Sequence, residues 1–168
     1  MTKFTRTAAA LLSAVAAPAA FAADTIDKAD VAWMLVATTL VLFMTIPGIA
    51  LFYGGMSRKK NLLSVLAQSS AICCALSVLW VVVGYSLAFT PGNPWIGSFD
   101  HIFLKGLNLH TMSGSIPTLL FMIFQMTFAV LTGALITGSF AGRMKFSAML
   151  VFMLVWSLAV YAPICHWV

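Results

Sequence analysis

Beyond Asp30 the chain alternates long uncharged apolar runs with short polar breaks. No charged residue occurs from Val31 to Tyr53, from Leu62 to Phe89, from about Ser115 to Phe140, or from Phe146 to about Cys165. At 1.5 Å per helical residue the first run covers roughly 34 Å, enough to cross a hydrocarbon core of about 30 Å. The pattern predicts four membrane-spanning helices over 31–53, 62–89, 115–140 and 146–165, and hence an all-α polytopic membrane fold.

Residues inside these runs refine the expectation. Pro47 cannot donate a backbone hydrogen bond, so the first helix should kink or open near Phe43. Gly48 and the pair Gly54-Gly55 permit close backbone packing followed by a helix exit. Asp30 is well placed to cap or neutralise the start of that helix. Trp80 and Tyr85 lie in the far half of the second run, where amphipathic rings can occupy a membrane interface. Thr90-Pro91-Gly92-Asn93-Pro94 then stops the helix. Pro117 falls in the first turn of the third run, where a missing donor costs little. Gly138 and Gly142 form a small-xxx-small spacing suited to close helix contact.

Composition agrees with a bilayer as solvent. Of 168 residues 62% are hydrophobic and 8% charged, against about 25% charged in an ordinary soluble domain. The net charge of +5 is split into short clusters between the runs, which excludes a nucleic-acid surface because neither a basic stripe nor a binding motif is present. Arg58, Lys59 and Lys60 occupy one turn and Arg143 and Lys145 another, whereas the loop between them holds Lys105 with Asp100, His101 and His110. Basic turns stay inside, so both hairpin turns are expected on the cytoplasmic side and the mature N-terminus outside.

The first segment has the layout of a removable secretion signal. Lys3 and Arg6 precede an Ala-rich stretch from Ala8 to Ala20, and Ala20-Phe21-Ala22 offers small residues for cleavage. Residues 1–22 are therefore assigned to a signal peptide and 23–168 to the membrane portion. Cys73, Cys74 and Cys165 sit in apolar stretches and read as small buried hydrophobes. No metal or cofactor is implied, and no nucleophile, base and orienter form a catalytic constellation.

Several strings carry a family resemblance. Met44-Thr45-Ile46-Pro47-Gly48-Ile49-Ala50-Leu51-Phe52-Tyr53-Gly54-Gly55, continued through Met56-Ser57-Arg58-Lys59-Lys60-Asn61, closely resembles the first-span signature of the ammonium transporter family, the Amt/Mep/Rh proteins. Gly84-Tyr85-Ser86-Leu87-Ala88-Phe89, Phe124-Gln125-Met126-Thr127-Phe128-Ala129 and Tyr161-Ala162-Pro163-Ile164-Cys165-His166-Trp167 resemble later family strings in the same order.

The resemblance implies an inverted-repeat transporter of about eleven helices, of which these four would be the N-terminal part. It also implies ammonium or ammonia as substrate, a homotrimer in a bacterial inner membrane and a possible PII signalling partner. Phe128 resembles the aromatic that lines the external cation site, and Phe124 its neighbour in the same vestibule. Gln125, Pro47, Gly48 and His166 are expected to give structural support. The family's pore histidines belong to later spans and its recruitment tryptophan would fall just beyond Val168, so the chain reads as part of a longer transporter. The alternative is a membrane fragment that regulates or binds a complete relative without transporting.

Overall fold

The computed structural model describes residues 26–168, so the signal assignment at 1–22 lies outside the described residues. Four long apolar helices run over Lys28–Met56, Lys59–Phe89, Thr118–Phe140 and Phe146–Trp167, each long enough to cross a bilayer. They are called spans one to four below. Spans one and two are joined by a tight turn, as are three and four, while residues 90–117 form a folded cap between spans two and three.

Three of the spans are not uniformly α-helical. Span one leaves the α register after Phe43 and passes through a π-helical segment, Met44–Ile49, that contains Pro47. Proline removes one N–H and crowds the carbonyl four residues earlier, here that of Phe43, and the wider π register relieves both. Span four repeats the device: Pro163 lies just after a second π segment, Ser157–Tyr161. The third, Trp80–Gly84 in span two, contains no proline. There Gly84 makes room for an indole, since a Cβ at that position would lie 2.9 Å from Trp80 Cε3.

Helix ends differ from the sequence expectation for local reasons. The first cap is Asp27, not Asp30: its carboxylate accepts from the N–H groups of Ala29 and Asp30 at 2.7 and 3.3 Å. Asp30 sits in the first turn, where its charge still opposes the helix dipole, and it accepts a hydrogen bond from Ser115 Oγ. Span three begins at Thr118 because Ile116–Pro117 pair with Met112–Ser113 in a short antiparallel hairpin turning at Gly114, φ +64°. Pro117 is thus extended and precedes the helix. Gly142, φ +73°, lies in the turn after span three, so its spacing from Gly138 is not a helical face.

Close packing falls on other glycines. A Cβ at Gly133 would meet Leu76 Cδ1 at 2.3 Å, and one at Gly138 would meet the Tyr53 ring at 2.4–3.0 Å. Tyr53 also donates its hydroxyl to the Leu135 carbonyl at 2.9 Å, which ties span one to span three. Gly54 is similarly tight against Leu62, whereas Gly48 is exposed and a Cβ there meets only its own helix, Phe43 O at 3.5 Å. One buried cluster of Ile72, Cys73, Leu76, Val130, Met149 and Met153 joins spans two, three and four.

The second cluster centres on Trp80, whose ring is 2% exposed. Its indole makes edge-to-face contacts with Tyr85, Phe89 and Tyr161 at centroid distances of 6.4, 6.2 and 6.0 Å. Its N–H reaches Met122 O at 3.3 Å. Trp80 and the buried Tyr85 are therefore core residues among three spans rather than interfacial rings; packing partners and a carbonyl acceptor are available inside the protein.

A valine at Gly138 should cost about 1–3 kcal/mol, because the Tyr53 ring is held by its hydroxyl and cannot simply swing away. Thermal unfolding in detergent checks this against Gly55→Ala, where nothing lies within 4 Å of the added methyl and stability should hold or rise by up to about 1 kcal/mol. Equal midpoints for the two variants would refute the packing account.

Candidate functional site

Phe124 and Phe128 sit four residues apart on span three, so helical geometry brings their rings to one face. The rings meet edge to face, with centroids 5.0 Å apart and planes at 77°. Both are half-buried. Met122, Met126, Ala129 and Val130 on the same span pack into the two buried clusters, and so does Phe121, which shares a helical face with Phe124 and Phe128. Phe124 and Phe128 themselves pack into neither cluster.

The carbonyls of these two residues also take side-chain donors. Thr127 Oγ1 donates to Phe124 O at 2.6 Å and Thr132 Oγ1 to Phe128 O at 2.8 Å. Two rings without an acid or base can attract a cation through their π faces and exclude hydrated ions by size. They cannot transfer a proton. Gln125 beside them is half-buried, Pro47 lies in the opened turn of span one, and Gly48 is exposed there. No cluster of His, Cys, Asp or Glu among the described residues could hold a metal.

His166 has a more definite setting. Its Nδ1 lies 3.0 Å from Ala88 O and its Nε2 3.0 Å from Asn93 O. Both partners are pure acceptors, so a neutral ring can serve one at a time and a doubly protonated ring serves both. Next to it, Trp167 donates its indole N–H to Trp95 O at 3.0 Å, and the two indoles meet at 5.8 Å and 77°. The end of span four thus pins residues 93–95 of the cap.

Further contacts hold the cap down, and sequence reasoning did not single them out. Ser86 Oγ donates to Ser98 O at 2.7 Å and accepts from the His101 N–H at 3.1 Å. Gly97 N–H donates to Leu87 O at 2.8 Å. A Cβ on Gly97 would lie 2.7 Å from the carbonyls of Ser86, Leu87 and Thr90, so only glycine lets the cap strand cross the helix end. The available signals were a serine inside an apolar run and a glycine in the Pro91–Gly97 turn region.

Residues 32–168 match the model of the Ammonium Transporter Family. The chain is 45% identical over 149 residues to an ammonium transporter of Aquifex aeolicus, covering 85% of this chain and 34% of that protein. It is 49% identical over 141 residues to one of Bacillus subtilis, covering 83% and 35%. The crystal structure of Mep2 from Candida albicans superposes with a TM-score of 0.77 at 36% identity, over 85% of this chain and 32% of Mep2. Mep2 of Saccharomyces cerevisiae gives 0.75 at 37% identity. The chain spans about a third of the length of these relatives.

Replacing His166 by alanine removes a donor shared between the Ala88 carbonyl and the exposed Asn93 carbonyl, at a cost of about 0.5–1.5 kcal/mol. The loss should appear as faster amide exchange at the cap residues 93–97 with spans one and three unchanged. Uniform acceleration, or none, would contradict a local clasp.

Proposed function

The chain belongs to the Ammonium Transporter Family, and from that premise we propose that it forms the first four spans of a protein that moves ammonium or ammonia across a bacterial inner membrane. The relatives it matches are transporters rather than enzymes, and four apolar helices make it a polytopic membrane protein. Within the proposal, Phe128 and Phe124 line the outer mouth. The observation that carries this is their edge-to-face pair, which packs into neither buried cluster.

A dehydrating ammonium ion loses hydrogen bonds to water, and a ring face returns roughly 0.5–2 kcal/mol of attraction depending on desolvation. In this reading the same rings narrow the mouth against hydrated ions, so capture and exclusion fall to the same residues. The cap is folded against spans two and four through Ser86, Gly97, His166 and Trp167. In this reading His166 holds the mouth in shape and carries no proton through the pore, because both its nitrogens face cap and helix-end carbonyls.

The finer features of the proposal rest on charge distribution and on resemblance. Five basic residues in the turns 58–60 and 143–145 support a cytoplasmic placement of those turns, and so a periplasmic start to the mature chain. A cleaved signal at 1–22, a homotrimer and gating by a PII signalling protein complete the reading. Because the pore histidines of the family lie in later spans, transport is proposed for the whole protein to which these spans belong.

Methylammonium uptake in cells lacking ammonium transporters tests the reading in two parts. These 168 residues expressed alone should give uptake equal to an empty vector; significant uptake would show that four spans suffice. In the full-length protein, Phe128→Ala should weaken apparent affinity about 2- to 30-fold, the range a lost cation–π contact allows. Wild-type affinity in that variant would remove Phe128 from the mouth.

A further inference from the structure

The buried side of span two carries a polar break. Val65, Gln68, Ser69, Ile72, Cys73 and Leu76 recur at helical spacing, so they share one side of the span, and all six are buried. Ile72, Cys73 and Leu76 belong to the apolar cluster with spans three and four. One turn nearer the loop 57–61, Gln68 and Ser69 are 6% and 3% exposed. Among the described residues, neither Gln68 Oε1 nor Ser69 Oγ has a hydrogen-bond partner. A carboxamide oxygen and a hydroxyl shut away dry are costly, and more so within a bilayer.

The free hydroxyl of Ser69 is informative. A serine inside a helix can return its proton to the carbonyl four residues earlier, and Ser77 on the same span does so to Cys73 O at 2.8 Å. Thr38, Thr45 and Thr137 behave alike. Ser69 does not, so two consecutive buried residues keep polar atoms that their own helix leaves unused. A route to them lies on the same side of the span. Val65 lines a cavity of about 430 Å³ together with Arg58, Asn61, Gly142 and Arg143 of the two short turns. That space holds several water volumes of about 30 Å³ each. Gln68 and Ser69 lie only about 4.5–6 Å further along the helix axis than Val65, with Ile72 and Cys73 closing the far side.

We propose that Gln68 and Ser69 form an internal water-binding site within the four spans, supplied from the cavity past Val65. Water matches the chemistry of the pair. It donates to Gln68 Oε1, and it either accepts from Ser69 Oγ or donates to it. It is neutral, and therefore needs no counter-charge on a span that has no charged residue from Leu62 to Phe89. An anion would meet the lone pairs of the carboxamide oxygen, and a cation would find no carboxylate. Bound water of this kind is part of a protein's structure when buried polar groups have no other partner. The inference does not depend on transport or on which face of the membrane the turns occupy.

Water-edited solid-state NMR of the full-length protein in lipid bilayers tests it, with Gln68→Met identifying the side-chain amide signal by its loss. In the unaltered protein, magnetisation from water should reach the Gln68 amide well before it reaches the Trp80 indole N–H, which is also buried but bonded to Met122 O. Ser69→Ala removes one partner of the water, and the early transfer to Gln68 should fall about 2- to 10-fold, the range one hydrogen bond allows. Ser70→Ala, on the exposed side of the same span, should leave the transfer unchanged. Arrival at Gln68 no earlier than at Trp80 would show a dry pair. That result, an undiminished signal in Ser69→Ala, or an equal loss in Ser70→Ala would each overturn the site.

Discussion

Backbone satisfaction in hydrocarbon governs the rest of this structure. With no water to receive a free N–H or C=O, each spanning segment must close its own hydrogen bonds. Every departure from the α-helix therefore has to be absorbed locally. Span one does this around Pro47 and span four ahead of Pro163, in both cases by widening into a π segment rather than breaking. The hydroxyls inside the spans follow the same rule. Thr38, Thr45, Ser77, Thr127 and Thr137 all return a hydrogen bond to a carbonyl three or four residues earlier. Among the described residues, Gln68 Oε1, Ser69 Oγ and Thr90 Oγ1 are buried without such a partner.

Once backbones are self-contained, association between helices rests on close contact, since lipid tails are as apolar as the side chains. Gly133 and Gly138 let span three approach Leu76 and Tyr53, and the Trp80 cluster fills the space where spans two, three and four converge. These contacts take up several faces of span three, and the Phe124–Phe128 pair belongs to neither buried cluster.

The two ends of the spans are built for different partners. The cap end is tied by directional bonds from Ser86, His166 and Trp167 to carbonyls of residues 88–98. The other end has short turns and concentrated cations, with no acid among residues 57–61 and 141–145.

The sequence by itself determined that four helices cross the membrane, because uncharged runs of this length have no other stable state in lipid. It also determined that the first helix opens after Phe43, since a proline's missing donor is a local fact, and that Phe124 and Phe128 share a face, since a spacing of four is a helical property. The ordered family strings carried the assignment to transporters. Tertiary structure alone decided that Trp80 and Tyr85 are core rather than interfacial, that Asp27 rather than Asp30 caps span one, and that Gly142 belongs to a turn. It alone brought His166 to the carbonyls of Ala88 and Asn93, and Arg58 to the same cavity as Arg143. Each of these depends on which residues distant in the chain become neighbours, and hydropathy and periodicity describe a helix without stating what it packs against.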